Sequence, residues 1–353
     1  MTPEQLQQLR DSLPAFAGGE INSHPFSDYC RFYGIDFTGR YPGLEHQAGA
    51  VRSGPYALSV HFWQRPGACS NLLLLHGYFD HTGLYDKLIE YGLSRNCNVL
   101  IFDLPGHGLS TGEAAVIDNF SDYSRAIVNV LAAVKLPDLP LWVMGQSTGC
   151  AALVDYAWKT PWPFAAVVLL APLVRPVGWL RVRVAHTLLR RFVDSIPRKF
   201  NENSSDRAFL EFIQNDPLQC DRVSLRWIGA LRRWLRRLPK EDLRVGPALV
   251  IQGDADGTVD WRHNMQVVSQ LFPASRVVYL PGAGHQLANE SGELLGRYLE
   301  VVDEWVGRAG LFQAGRSTVS EQYAAADGAL DGGQLGQGDV AVLRVDVDDH
   351  VAD

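Results

Sequence analysis

Seven short apolar runs recur along the 353-residue chain: YALSVHFW (56–63), LLLLH (72–76), VLIF (99–102), LWVM (141–144), AVVLL (166–170), ALVI (248–251) and VVYL (277–280). Each has the length of a strand and is bounded by Gly, Pro, Asn or Asp. Most are apolar at every position rather than at alternate ones, the pattern of strands covered on both faces. Stretches with helical period lie between them, at 84–95, 119–135, 150–159, 261–271 and 291–307. Alternating strand and helix predicts an α/β fold, with a mostly parallel sheet of about eight strands and helices on both faces.

The alternation breaks once. Between the runs ending at Leu170 and starting at Ala248 lie segments of helical character, among them WLRVRVAHTLLRRFV (179–193) and RVSLRWIGALRRWLRRL (222–238). These read as a helical cap set into the α/β pattern. Residues 1–54 then form an N-terminal extension, 55–172 and 247–309 two parts of one core, and 173–246 the cap. Residues 310–353, rich in Gly, Ala, Gln and Asp, read as an acidic and flexible tail.

Charge sharpens this division. The net charge is −7, yet residues 173–245 hold 14 Arg and 2 Lys against 8 acids. The plain reading of such a segment is a solvated helical surface with local ion pairs. Trp179, Trp227 and Trp234 stand among these arginines, either packing the cap onto the core or, with the cations, suiting peripheral contact with a lipid surface. No run of about 18 apolar residues predicts a transmembrane helix. The N-terminal MTPEQLQQLRDSLPAFAGGE is not built like a signal peptide, so a cytoplasmic location is the default expectation. The five cysteines are scattered, with no C-x-x-C pair, and read as reduced structural thiols.

Two segments match G-x-S-x-G: Gly145-Gln146-Ser147-Thr148-Gly149 and Gly108-Leu109-Ser110-Thr111-Gly112. Context separates them. Ser147 follows the strand LWVM after two residues, and the helical run CAALVDYAW begins just beyond it. That is a strand–turn–helix elbow, with Gly145 and Gly149 as the small flanking residues and a helix N-terminus beside the serine. Ser110 lies in a Pro- and Gly-rich loop instead. A serine nucleophile needs a base and a group to orient that base, in the chain order Ser, acid, His for such a sheet. His285, in PGAGHQ directly after the strand VVYL, is placed to be the base; His186, His263 and His350 are less well placed. The acid should come from QGDADGTVDW, where Asp256 is preferred and Asp254 and Asp260 are alternatives. The backbone N–H groups of Thr148 and Tyr78 are the candidate oxyanion hole, with His76-Gly77 making the tight turn before Tyr78.

Taken together, HGYFDHTGLY (76–85), DLPGHGLSTG (103–112), GQSTG (145–149), APL (171–173), GDAD (253–256) and GAGH (282–285) resemble the α/β-hydrolase superfamily. They are similar above all to its serine-hydrolase branch of monoacylglycerol lipases and lysophospholipase-like proteins, which carry a serine aminopeptidase type of domain. The resemblance spans residues 55–308. It implies Asp256 as the acid, a Ser147–His285–Asp256 triad, and hydrolysis of carboxylic esters through an acyl-enzyme. The implied substrate is a small-molecule or lipid ester, with a lysophospholipid or monoacylglycerol as the first expectation. A small-ester carboxylesterase, a thioesterase and a non-catalytic binding protein are the alternatives. No cofactor, metal or nucleic acid is expected: the H-x-H-x-D-H metal pattern would need histidine at Tyr78, and Gly106, Gly108 and Gly112 precede no helix. Two departures stand out. Gln146 replaces a common His and Cys150 a common Gly, and both are expected to reshape the acyl pocket.

Overall fold

All seven apolar runs become strands of one sheet. In the computed structural model, which describes residues 1–19 and 23–311, the strands are β1 (Glu45–Ser53), β2 (Tyr56–Gln64), β3 (Ser70–Leu75), β4 (Cys97–Phe102), β5 (Leu141–Gln146), β6 (Ala166–Leu170), β7 (Ser195–Pro197), β8 (Arg222–Ser224), β9 (Leu249–Gly253) and β10 (Arg276–Leu280). The helices are α1 (Pro3–Ser12), α2 (His24–Phe32), α3 (Asp86–Ser94), α4 (Ser121–Ala133), α5 (Thr148–Lys159), α6 (Trp179–Leu189), α7 (Arg207–Asn215), α8 (Leu225–Leu235), α9 (Trp261–Leu271) and α10 (Gly292–Arg308). The eight-stranded sheet runs β1-β2-β4-β3-β5-β6-β9-β10. Strand β2 pairs antiparallel with both β1 and β4; every other pairing is parallel.

Period-2 alternation in the buried strands feeds two cores. Leu72 and Leu74 of β3 join one cluster, with Leu88 of α3 and Leu295 and Leu299 of α10. Leu73 and Leu75 point to the other face, with Ile127 of α4, Leu153 of α5 and Val268 of α9. Because the sheet is covered on both faces, its loops at the carboxyl end of the parallel strands are where a site can open.

Two features depart from the sequence reading. The eighth strand, β1, comes from within the segment read as an extension, and α1 and α2 precede it. The cap is not wholly helical: β7 and β8 form a two-stranded antiparallel ribbon between its helices. The tail expected beyond residue 310 lies outside the described residues from 312 onward.

A cluster of buried histidines accompanies this core. His46 Nε2 lies 3.1 Å from His61 Nδ1, and both rings stack on Trp63. Burial drives both toward the neutral form, His61 down to about 4, and it does the same to His76 and His107, down to about 3 and about 4. These rings stay neutral in the folded state while the unfolded chain protonates them below about 6.5. Their contribution is therefore intact above pH 6.5 and is lost as the pH falls toward 4. Urea unfolding free energy is expected to fall as the pH drops below 6.5, by something on the order of 1 kcal/mol per pH unit for each such histidine. A stability that is flat between pH 7.5 and 5 would contradict this.

Candidate active site

Ser147 sits between β5 and α5 with φ 51° and ψ −107°, a conformation L-residues rarely take. The turn holds because its neighbours are small. A Cβ on Gly149 would drive into the Leu75 carbonyl oxygen, and one on Gly145 would lie 3.1 Å from the Cys150 nitrogen. The Ser147 N–H donates to Leu170 O at 2.9 Å, which ties the turn to β6. The side chain is thereby lifted to the carboxyl edge of the sheet.

His285 arrives on the loop after β10. Its Nε2 is 2.9 Å from Ser147 Oγ and its Nδ1 is 2.7 Å from Asp256 Oδ2. Asp256, on the loop after β9, also accepts from Thr258 N (2.8 Å), Val259 N (3.0 Å) and Gln252 Nε2 (3.1 Å). Burial raises its carboxyl, but the His285 ring and these donors outweigh burial and hold it below the usual carboxylate range. For His285, burial favours the neutral ring, and the attraction of Asp256 overcomes this and raises it. The two alternative acids are engaged elsewhere. Asp254 accepts from Gly282 N at 2.7 Å, and Asp260 pairs with Arg175 at 2.7 Å.

Tyr78 and Thr148 line the same cavity as Ser147. Thr148 opens α5, so its N–H has no intrahelical acceptor. The Tyr78 N–H likewise has none among the described residues. His76 holds the preceding turn, with Nε2 accepting from Leu104 N (2.8 Å) and Nδ1 donating to Gly77 O (2.7 Å). The Gly77 N–H donates to the Tyr85 hydroxyl (3.1 Å) and to Asp80 Oδ2 (3.2 Å).

Ser110, the rival serine, is buried and occupied. Its hydroxyl donates to Asp103 O (2.6 Å) and accepts from Ser59 N (2.9 Å), fastening the loop to β2.

Gln146 and Cys150 do not shape the cavity as expected; neither lines it. Gln146 turns away and donates through Nε2 to His285 O at 2.8 Å, so it anchors the histidine loop. The Cys150 thiol donates to Gly145 O at 2.9 Å inside the core. The side chains faced the core rather than the cavity because both residues flank a turn whose exposed position is taken by Ser147.

The cavity encloses about 480 Å³ between the sheet edge and the cap. Trp179, Val182, Leu189, Ile196, Ile228 and Leu231 give it an apolar wall. Of the three cap tryptophans, Trp227 stacks on Tyr78 at 4.0 Å and donates to the Tyr123 hydroxyl, while Trp234 donates to Asp155 Oδ1 at 3.0 Å. Trp234 packs the cap onto the core; Trp179 and Trp227 also wall the cavity. Among the described residues, no group of His, Cys, Asp or Glu could hold a metal ion.

The chain is similar to proteins of known family. Residues 67–292 match the family model of the serine aminopeptidases, S33. Mouse monoglyceride lipase is 27% identical over 283 residues, covering 75% of this chain and 91% of its own. A phospholipase of Bacillus subtilis is 25% identical over 210 residues, covering 56% of this chain and 80% of its own. The crystal structure of a soluble variant of the Saccharomyces cerevisiae monoglyceride lipase superposes with a TM-score of 0.64 at 17% identity, covering 79% of this chain and 99% of that one. Since the matched family span exceeds half of its length, the chain belongs to the serine aminopeptidase S33 family and carries the α/β-hydrolase fold.

Proposed function

We propose that this protein is a serine hydrolase that cleaves the carboxylic ester of monoacyl lipids, monoacylglycerols or lysophospholipids. The observation that carries the reading is the hydrogen-bonded line Ser147–His285–Asp256 opening onto an apolar cavity. Ser147 Oγ attacks the ester carbonyl and passes its proton to His285 Nε2. Asp256 keeps the other ring nitrogen protonated and stabilises the imidazolium. The tetrahedral oxyanion takes hydrogen bonds from the Thr148 and Tyr78 N–H groups. His285 returns the proton to the leaving alcohol, and a water deprotonated by His285 then attacks the acyl-enzyme and frees Ser147. The named activities of the mouse and Bacillus relatives fit an acyl chain along the cap wall and a polar group at the mouth.

A series of p-nitrophenyl and glycerol esters from acetyl to oleoyl tests this. The expected optimum lies above about eight carbons. An optimum at acetyl or butyryl would overturn the lipid reading in favour of a small-ester carboxylesterase, and faster turnover of thioesters would favour a thioesterase.

Gln146 is a positioning residue in this scheme. Gln146→Ala frees the backbone of His285 and is expected to lower kcat about tenfold with little change in KM. An unchanged kcat would show that the loop holds itself.

The outer side of the cap suits a lipid surface. Leu180, Val184, Leu188 and Phe192 follow one another every four residues along and just beyond α6 and are exposed, Phe192 at 82%. Of the cap's arginines only Arg175 and Arg226 pair with carboxylates among the described residues, so the predicted local ion pairing is sparse. No described helix is long and apolar enough to cross a membrane. Binding to vesicles of anionic lipid is expected, weakened several-fold in the double variant Leu180→Asp, Leu188→Asp. Equal sedimentation of both proteins with the vesicles would refute it.

A further inference from the structure

The cavity carries cationic chemistry that ester cleavage does not use. Arg181, Arg198 and Lys199 line it against one carboxylate, Asp80. Asp80 is committed inward, accepting from Gln286 Nε2 at 2.7 Å and from Gly77 N. None of the three cations has an ion-pair partner among the described residues.

Arg198 is held in place more firmly than an ordinary surface arginine. It follows β7 directly, and its backbone N–H donates to Asp221 O at 2.8 Å. Its guanidinium carbon lies 4.0 Å from the Phe79 ring centroid and 4.5 Å from that of Phe200. Nη1 donates to Gln219 Oε1 at 2.7 Å and to Cys220 O at 3.3 Å. Gln219 Nε2 in turn donates to Phe79 O at 3.0 Å. The group is thus tied twice to Phe79, the residue after Tyr78 in the candidate oxyanion loop. Its Nε and Nη2 donors are left without a protein acceptor among the described residues. A guanidinium so positioned is half-buried, and Asp80 acts on it only from beyond ion-pair contact, so its unused donors are relieved by an anion.

We propose that Arg198 recognises a phosphate on the substrate, so that the site selects phosphate-bearing monoacyl esters over neutral monoacylglycerols. This rests on the hydrolase reading above. The free Nε–Nη2 edge of the guanidinium can bind two phosphate oxygens at once, which a glycerol hydroxyl cannot match. Arg181 and Lys199 at the mouth add charge for an oxygen that stays in water. The acyl chain then takes the apolar wall, and the ester lies between the two.

The test compares a 1-monoacylglycerol with its 3-phosphate of the same acyl chain, in the same neutral detergent. Arg198→Met is expected to lower the ratio of kcat/KM, phosphate ester over neutral ester, at least about tenfold. Arg198→Lys, which keeps the charge but loses the fork and the stacking, should recover part of that ratio. Equal losses on both substrates, or no loss, would overturn the proposal. Binding supplies a readout that does not depend on turnover. The non-hydrolysable ether analogue of the phosphate ester should bind Ser147→Ala protein at least about tenfold more tightly than the Ser147→Ala, Arg198→Met protein. If the wild type cleaved neither ester, the hydrolase reading would fall, and Arg198 would still be judged by this binding: equal affinities would overturn its role.

Discussion

Replacing Ser147 with alanine is expected to lower ester turnover by about 10³-fold or more. The reason lies in how the three groups act together. Without the hydroxyl, His285 has no proton to take at 2.9 Å, and only the N–H groups of Thr148 and Tyr78 remain to stabilise charge. The effect should be non-additive. Ser147→Ala combined with His285→Ala should be no slower than Ser147→Ala alone, because neither partner is useful without the other. Fold should be retained, since the Ser147 hydroxyl bonds only to His285 among the described residues; its backbone N–H, not its hydroxyl, ties the turn to Leu170. Turnover undiminished in Ser147→Ala would refute the mechanism, and loss of fluorophosphonate labelling in the same variant would locate the reactive hydroxyl.

The second large effect is expected on stability. His81 and Asp216 are both fully buried, with His81 Nε2 2.8 Å from Asp216 Oδ2. The Gly83 N–H donated to His81 Nδ1 places the ring proton on Nε2, facing the carboxylate. Tyr33 donates to the other oxygen of Asp216 at 2.7 Å. One contact therefore joins the N-terminal helices, the loop after β3 and the cap. Burial raises the Asp216 carboxyl, but His81 and the hydroxyl of Tyr33 outweigh this and hold it down. His81→Ala leaves a buried carboxylate without its main donor and is expected to cost about 3–5 kcal/mol. The corresponding fall in Tm is of order 10 °C for a domain of this size. The double variant His81→Leu, Asp216→Leu should recover part of that loss, because no buried charge remains unpaired. A loss below about 1 kcal/mol in His81→Ala would show that neighbouring donors suffice. Because Gln219, three residues past Asp216, bonds to Phe79 O, the same variants are the place to look for slack in the candidate oxyanion loop.

The parts of this protein that its sequence by itself determined are those written in consecutive residues. The parallel strands show as apolar runs because both faces are covered, and the local requirements of a tight strand–turn–helix elbow single out Gly145, Ser147 and Gly149. His285 is favoured by its place after a strand whose carboxyl end lies at the shared edge, whereas the loop after the preceding strand offers Asp254, Asp256 and Asp260, with Asp256 preferred and then implied by the resemblance. Tertiary structure alone decided the rest, because the partners lie far apart along the chain. Strand β1, EHQAGAVRS, has little apolar signal because its buried positions are filled by His46, Ala48, Gly49, Val51 and Ser53, and Ala48 and Val51 reach opposite cores only once the sheet is formed. The ribbon β7–β8 has three residues in each strand, too few to show a period. Gln146 looked like a pocket residue until the fold brought His285 O to it across 139 positions. His81 meets Asp216 across 135 positions. Arg198 was one of many cap arginines until two phenyl rings and Gln219 closed around it. Hydrophobic period and turn chemistry act between neighbours, whereas buried polar pairs and an unpaired cation are decided only when distant segments meet and exclude water.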